Sequence, residues 1–424
     1  MIGTKQLFDP RENKIKPWFV ASNFGDALGG HYVGLLFQLL AVNQLGFNGS
    51  QLALLNVSSM LIFLALNVVA GDLVDRLPVG RVIVAMLVIK AALLSAFCGI
   101  YLTWGLTFWS VLLFEILTAF VGLFLDNSQL VGATVLQNRC RRHNVVSLIS
   151  SGDQIARLIS PLAIIPVAHF GQYGRGFVAG AVLAGFAALF ALPAVAIRIE
   201  RKPDDDKDAS TRPSKIPGWK SFVGQLLQGL SIIRSQALLA FAVTLMVAAN
   251  AGLALGDLAT TLLVLRVKAL SESFYSFTQF WDAAFGIAAA ALTPVMMRRF
   301  SFPRIAFVAT LLQCLAAAAN LGLLFSDVAP QAWVLVAGAA WSLGIVMVNI
   351  AAMDAASKSI PEDKAGVTFA TLRTLSMAVV PLGVFASGWL IDHWGMQVPL
   401  ALWVAGSLGV VALAAAQLRR SPTS

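Results

Sequence analysis

The sequence predicts an all-α integral membrane protein whose twelve transmembrane helices form two six-helix bundles. Three observations predict this fold: a very apolar composition, a series of apolar runs long enough to cross a bilayer, and one long polar stretch that separates these runs into six and six. Of the 424 residues, 58% are hydrophobic and only 12% are charged, with a mean hydropathy of +0.79. Because soluble domains carry about 25% charged residues, the composition assigns the chain to the lipid bilayer.

The apolar runs recur between short polar breaks, and each reaches the roughly 20 residues that a helix needs to cross the hydrocarbon core. Four polar residues interrupt the fourth and seventh runs: Asp126, Asn127, Asn250 and Asp257. We predict spans over residues 18–43, 51–73, 81–103, 107–136, 146–170, 175–198, 237–265, 273–297, 303–325, 332–356, 366–391 and 396–418.

Lysine and arginine concentrate in alternate polar breaks, and the remaining breaks hold only Arg175, Arg266 and Lys268. Short cytoplasmic loops are the ones enriched in these residues. The distribution therefore predicts a multi-pass protein of the bacterial inner membrane with both termini in the cytoplasm. It also accounts for the net charge of +9 without a nucleic-acid partner.

The long polar stretch between the sixth and seventh spans reads RIERKPDDDKDASTRPSKIPGWK. Its mixed charges and prolines are typical of an unfolded cytoplasmic linker, and the helical spacing of apolar residues over 218–234 predicts an amphipathic helix on the membrane surface. We therefore expect an N-terminal bundle over 1–198, a linker with this helix over 199–235, and a C-terminal bundle over 236–424.

Residues 122–144 of the first half also align with residues 344–366 of the second at an offset of 222, which pairs Gly122 with Gly344 and Asn127 with Asn349. Repeated six-helix halves with a substrate site near the bilayer midplane between them are a known transporter architecture.

The sequence lacks motifs that would indicate an ATP-driven pump, an enzyme or a metal site. No GxxxxGK[ST] loop indicates ATP as a direct energy source, and no catalytic triad or metal cluster indicates an enzyme. The cysteines Cys98, Cys140 and Cys314 lie far apart, without a disulfide or zinc spacing. We expect a non-enzymatic protein without a cofactor, driven by the proton-motive force.

The segment GDLVDRLPVGR, residues 71–81 between the second and third spans, resembles the signature loop of the major facilitator superfamily. MMRRFSFPR (296–304) lies where the second copy of that loop belongs. IPEDKAG (360–366), PLGVFASGWLIDHWG (381–395) and DQIARLISPLA (153–163) are similar to the branch that contains the enterobactin exporter and the macrolide efflux pumps.

Three other features are similar to the lysophospholipid transporter of the same superfamily: DRLPVGRV (75–82), FGD (24–26) and Lys90. The resemblance implies a monomeric secondary transporter. It also implies that the loop aspartate, Asp75, caps the N-terminus of a neighbouring helix and pairs with arginine, which locks one conformation.

The other loop residues have supporting roles in this interpretation. Gly71 and Gly80 would permit a tight turn and close approach, and Arg76 and Arg81 supply the basic charge. The alternative is a solvated loop whose charges only set the membrane topology.

Charged residues inside the spans mark the candidate site, because each costs about 3 kcal/mol at the centre of a membrane helix. Asp26, Asp126, Asp153, Arg157 and Arg373 are predicted to form a polar belt in the cytoplasmic half of the cavity. In the superfamily that cavity is lined by the first, fourth, fifth, seventh, eighth, tenth and eleventh of the twelve transmembrane spans.

Asp26 is our first candidate for proton coupling, because a poorly solvated carboxyl group can load and release a proton. His31 would relay the proton or hydrogen-bond to a neighbour. Asp282 is the second candidate, and Asp153 belongs to the same set. Glu115 and Asp354 rank lower, because either can lie close to water.

For substrate binding we select Arg157 and Arg373, whose planar forks suit carboxylate or phosphate. An alternative for Arg157 is an ion pair with Asp153, one helical turn away. Lys90 is expected to pair within the N-terminal half. The remaining candidates are Asp126, Asn127 and Asn349, together with Trp281 and Trp341, which would stack on a planar substrate or pack between helices.

The leading hypothesis is a proton antiporter that exports a siderophore, an antibiotic or another secondary metabolite by alternating access. Its partners would be a small molecule, protons and the lipid bilayer. The alternatives are a lysophospholipid flippase and a transport-inactive membrane sensor or scaffold. The insertion cost of the many intramembrane charges argues against an inactive scaffold.

Overall fold

The computed structural model describes residues 10–139, 145–197, 219–360 and 365–420, and no β-strand occurs in these ranges. They contain thirteen α-helices. The helices are α1 (Pro10–Leu39), α2 (Gly49–Arg76), α3 (Val79–Thr103), α4 (Phe108–Arg139), α5 (Val145–His169), α6 (Tyr173–Ala191), α7 (Trp219–Ser235), α8 (Ala237–Leu262), α9 (Glu272–Met297), α10 (Phe302–Phe325), α11 (Pro330–Ser359), α12 (Ala365–Trp394) and α13 (Gln397–Arg420).

Eleven helices of the described chain are long and apolar enough to cross a membrane. The one remaining predicted span, the first in the chain, corresponds to α1. This helix is long enough to cross a membrane, but its polar residues Asn23, Asp26 and His31 lower its hydropathy. The predicted all-α fold with twelve membrane helices is confirmed. The predicted amphipathic helix is α7, whereas most of the linker, residues 198–218, lies outside the described residues.

The chain separates into two compact units. Unit 1 consists of residues 1–45 and 58–216, and unit 2 consists of residues 46–57 and 217–424. Helix α2 therefore begins in unit 2 and continues in unit 1.

In unit 1, α1 packs against α5 and α6, and α3 packs against α4 and α6. Small residues make these contacts close: a Cβ on Gly176 would come within 2.8 Å of the Leu36 side chain, and one on Gly180 within 2.5 Å of Val33. Such packing is characteristic of membrane helices, which have no hydrophobic driving force between them and rely on van der Waals contact.

In unit 2, α10 packs on α11 and α13, α8 on α12, and α9 on α11. Gly344 of α11 lies against the backbone of α10, where an added Cβ would be 2.6 Å from the Ala309 carbonyl oxygen. The amphipathic α7 packs mainly on α12.

Backbone irregularities recur between the two halves at nearly the offset found in the sequence. Short π-helical segments end α1 at Leu40–Gln44 and α8 at Leu263–Val267, 223 positions apart. Left-handed residues recur in the same way: Gly46 with Ala269, Gly105 with Ala329, and Gly171 with Gly395. The backbone thus supports the internal repeat.

Candidate functional site

Asp26 lies at the centre of a polar cluster in unit 1. Its side chain is buried, with 7% of the residue exposed, and its two carboxylate oxygens have separate partners. Lys90 Nζ of α3 donates to Oδ1 at 2.6 Å, and Gln129 Nε2 of α4 donates to Oδ2 at 3.1 Å. The carboxylate therefore joins three helices, and the expectation that Lys90 pairs within the N-terminal half is confirmed.

Glycines of α1 flank Asp26 in the sequence and contact neighbouring elements of unit 1. An added Cβ at Gly25 would meet Ala187 at 3.4 Å and one at Gly29 would meet Leu183 at 3.5 Å, so this face of α1 lies directly on α6. A Cβ at Gly30 would lie 3.7 Å from Lys90 Nζ. These are ordinary van der Waals distances, so α1 lies in normal contact with α6 on one face and with the Lys90 ammonium group at Gly30.

His31 and Asp153 form a second pair in the same unit. The His31 Nε2 and Asp153 Oδ1 atoms lie 3.1 Å apart, with side-chain exposures of 29% and 40%. Asp153 is therefore paired with a residue of α1, and it does not make the local ion pair with Arg157 that their spacing permitted. Arg157 is exposed and has no hydrogen-bond or ion-pair partner among the residues that the structure describes.

Asp126 is exposed on α4 and interacts electrostatically with Asp26, Lys90 and Asp153. The structure thus places Asp126 within electrostatic range of Asp26 and Asp153. Asn127 is used differently, because its Nδ2 donates to Asn67 Oδ1 at 3.0 Å and to the Leu123 carbonyl oxygen at 2.8 Å. The amide group of this predicted substrate ligand instead holds α4 against α2.

In unit 2, Asp282 of α9 lies against the backbone of α11, where a Cβ on Gly338 would overlap its Oδ1 atom. That buried oxygen accepts no hydrogen bond within the described part of the chain. Asp257 of α8 interacts electrostatically with Asp282. In the sequence Asp257 stands out only as an interruption of its span, although it meets the same criterion, a charged residue within a span, that selected Asp282.

The other candidates of unit 2 are dispersed. Trp281 donates from Nε1 to the Leu335 carbonyl oxygen at 3.0 Å, which holds its ring between helices. Trp341 packs edge-on against Trp403, with 5.0 Å between ring centroids. Asn349 is partly buried and Arg373 is exposed, and neither has a hydrogen-bond partner among the described residues. Packing is thus the observed role of the two tryptophan rings.

The lower-ranked carboxyl groups differ from each other. Asp354 Oδ2 accepts a hydrogen bond from Lys358 Nζ at 2.6 Å, one turn away on α11, at an exposed position. Glu115 of α4 is partly buried and has no hydrogen-bond partner among the described residues. No group of three or more histidine, cysteine or acidic residues in the described chain could hold a metal ion.

The segment 71–81 contains the end of α2 and the start of α3. Gly80 makes the expected close approach, because an added Cβ would overlap the Ala194 carbonyl oxygen. The prediction of a turn at Gly71 was wrong, because this residue lies inside α2. A Cβ there would make ordinary contact with Asn127 Oδ1 at 3.7 Å. Arg76 and Arg81 are exposed, and the Asp75 side chain lies outside what the structure describes.

Two solved structures that are similar to this chain are those of transporters. A crystal structure of a point mutant of the nucleoside transporter NupG has a TM-score of 0.72 at 14% identity, covering 95% of this chain and 99% of that one. A peptide transporter POT in complex with sulfate has a TM-score of 0.67 at 14% identity, covering 96% and 94%. At these identities the likeness establishes the fold and carries no information on the substrate.

Comparison with curated protein sequences gave no match. The family model described as Major Facilitator Superfamily matches residues 19–382, which is most of the chain. That match, together with the twelve-helix fold, shows that the chain belongs to the major facilitator superfamily.

Proposed function

We propose that this protein is a proton-coupled secondary transporter that exports a small organic molecule, such as a siderophore, an antibiotic or another secondary metabolite, by alternating access. Family membership supports a secondary transporter. The observation that carries the proton coupling is the buried carboxylate of Asp26, held by Lys90 and Gln129 within the membrane-spanning part of unit 1.

Proton binding at Asp26 competes with the ion pair to Lys90. When the carboxyl group takes up a proton, the ammonium group loses its counter-charge and the contact between α1 and α3 weakens. A proton can thus change how two helices of unit 1 pack, which is the kind of two-state element that alternating access requires. His31, five residues further along α1 and paired with Asp153, provides a neighbouring group through which the proton can pass.

Asp282 and Asp257 are the second proposed coupling site. Two neighbouring carboxylates repel each other, so a proton or a cationic group that binds one of them relieves this repulsion. The Asp282 oxygen that lacks a hydrogen-bond donor within the described chain marks where such a group would bind.

Arg157 and Arg373 are the proposed contacts for an anionic group of the substrate. Each is exposed within a membrane-spanning helix, and neither is neutralised by a described residue. An arginine at this depth is costly, and a carboxylate or phosphate bound by its planar fork offsets that cost.

The test is proton release from the purified protein when candidate ligands are added in weakly buffered detergent solution. Wild type should release protons on binding, and Asp26→Asn should bind without release. Asp354→Asn is the matched control, because its carboxyl group is exposed and paired locally with Lys358, and it should behave as wild type. Binding with unchanged proton release in Asp26→Asn would exclude Asp26 and move the test to Asp282→Asn.

Arginine variants test the substrate class. Arg157→Gln and Arg373→Gln should each weaken binding of an anionic ligand about tenfold or more, as expected when a charged hydrogen bond is lost, with unchanged thermal stability. The lysine variants should recover part of the affinity through charge alone. Equal binding by the glutamine variants would exclude these residues as ligand contacts.

A lysophospholipid flippase is the second candidate. It is favoured by the direct contact between Asp26 and Lys90, two residues of the resemblance to that transporter. Reconstituted protein would then move a short-chain fluorescent lysophospholipid between leaflets, and Asp26→Asn would abolish the movement. Binding of neither a lysophospholipid nor a soluble anion would favour the transport-inactive sensor.

A further inference from the structure

A cavity of about 120 Å³ lies in unit 2, among α8, α10, α11 and α13, and is partly open beside the exposed residues Leu402 and Gly406. Ala251, Gln313 and Trp341 line it from near the middle of their helices, so the cavity lies at the depth of the hydrocarbon core. None of its lining residues is charged. Of the residues proposed above for transport, coupling or substrate binding, only Trp341 lines it.

Two buried hydrogen-bond donors line this cavity without a partner. Trp403 is 4% exposed and Gln313 is 5% exposed, and neither Trp403 Nε1 nor Gln313 Nε2 meets an acceptor in the described part of the protein. An indole N–H can only donate. Leaving such a group unpaired in an apolar environment is costly, so an acceptor bound in the cavity would offset this cost.

The indole of Trp403 is fixed in place by two glycines of α8. An added Cβ on Gly256 would come within 2.6 Å of the ring, and one on Gly252 within 2.9 Å of Nε1. On its other side the ring packs edge-on against Trp341, with an interplanar angle of 79°. The donor is therefore held by packing, and the ring cannot easily turn to find another acceptor.

We propose that this cavity is an accessory binding site for a small, uncharged molecule that carries a hydroxyl or carbonyl oxygen. The lack of charge excludes ionic ligands, the two nearly perpendicular indole rings provide apolar walls, and the two N–H donors call for an acceptor oxygen. The volume suits a single ring or a short aliphatic chain, since apolar cavities of roughly 150 Å³ hold benzene.

Equilibrium dialysis of radiolabelled benzyl alcohol against the purified full-length protein tests this proposal, with uptake by detergent alone subtracted. Wild type should show one saturable site. Ser407→Leu, which adds a bulky side chain at the cavity wall, should abolish it. Ethylbenzene, which has a methyl group in place of the hydroxyl, should bind about tenfold more weakly after correction for partitioning, the size expected for a donor left unpaired.

Two variants test the donors separately. Trp403→Phe keeps an aromatic ring but removes the N–H, and it should weaken benzyl alcohol binding about tenfold while leaving ethylbenzene binding unchanged. Gln313→Leu makes the same comparison if Trp403→Phe does not fold. Three results would each overturn the proposal. They are equal uptake by wild type and Ser407→Leu, equal binding of the two ligands, and no saturable uptake at all, as for a cavity filled by water.

Discussion

The Asp392 carboxylate at the end of α12 caps the first turn of α2. Its Oδ1 atom accepts a hydrogen bond from the Gly49 N–H at 2.8 Å, and its Oδ2 atom accepts one from the Ser50 N–H at 2.7 Å. The first N–H groups of a helix have no partner within the helix, and a carboxylate there is also stabilised by the helix dipole. An acceptor 342 residues away in the chain thus supplies the cap.

A second contact holds the same segment of unit 2. Arg266 Nη2, at the end of the π-helical segment after α8, donates to the Phe47 carbonyl oxygen at 2.7 Å. Gly49 and Gly388 also lie against each other's backbone, where an added Cβ on Gly49 would be 2.7 Å from the Gly388 carbonyl oxygen. Residues 46–57 are therefore anchored by a carboxylate, a guanidinium group and a close backbone contact.

Replacement of Asp392 by alanine should loosen the start of α2. Loss of a helix cap costs about 1 kcal/mol, so a cysteine placed at Ser50, in a variant whose native cysteines are replaced by serine, should react about fivefold faster with a water-soluble maleimide. Asp327→Ala is the control, because that carboxylate is exposed and pairs with Lys268, away from α2. An unchanged labelling rate in Asp392→Ala would show that the cap does not hold this segment.

Removal of Lys90 should destabilise unit 1 more than removal of Asp26 and Lys90 together. Lys90→Met leaves the Asp26 carboxylate, 9% exposed in its side chain, without its counter-ion, and breaking a buried pair in this way costs about 3 kcal/mol. The double variant Asp26→Asn with Lys90→Met should recover most of that loss, as measured by thermal unfolding in detergent.

Lys358→Met is the control for Lys90. Its ion pair with Asp354 is exposed, and exposed pairs contribute at most about 1 kcal/mol, so the melting temperature should barely change. A double variant no more stable than Lys90→Met would mean that the two residues are not energetically coupled.

The sequence predicted the helices well and their partners poorly. Hydropathy depends on local composition, so the spans could be located to within a few residues. The exception is α1, whose polar residues, Asp26 among them, lower its hydropathy below that of the other spans. Helical spacing also permitted a pair between Asp153 and Arg157, yet Asp153 pairs with His31, because tertiary contacts decide between local and distant partners.

Two other site features could not be read from spacing. Lys90 was correctly expected to pair within its half, but the sequence did not identify its partner, which lies 64 residues away. Periodicity within one helix does not show which faces of two helices meet. Asp257 met the sequence criterion that selected Asp282, but the interaction between the two residues depends on how α8 and α9 pack. The unpaired Trp403 N–H likewise depends on packing, since sequence alone does not distinguish a satisfied indole from an unsatisfied one.

Gly80→Ala should destabilise the protein, although alanine is the better helix former. The added Cβ would overlap the Ala194 carbonyl oxygen and lie 2.9 Å from Val195 Cα, and backbone atoms cannot move away as cheaply as a flexible side chain. Overpacking of this kind costs about 1–3 kcal/mol, which a thermal unfolding curve in detergent would detect. Gly185→Ala is the matched control, because its Cβ would meet nothing within 4 Å, and it should be neutral or stabilising.

The last prediction comes from the internal repeat. Ala269 and Ala329 adopt left-handed backbone conformations, both with φ of 48°, at positions where the first half has Gly46 and Gly105. A left-handed conformation costs an alanine roughly 1–2 kcal/mol, while glycine adopts it freely but loses more entropy on folding. Both alanines are exposed, so replacing them removes little packing.

Ala269→Gly and Ala329→Gly should therefore each stabilise the protein by about 0.5–1 kcal/mol, and Gly46→Ala should destabilise it by a similar amount. A Cβ on Gly46 would meet nothing within 4 Å, so any loss there reflects backbone strain and not a steric clash. Thermal unfolding of the three single variants in one detergent makes the comparison. A lower melting temperature in both glycine variants would mean that the entropy of the unfolded chain outweighs the strain of the two left-handed alanines.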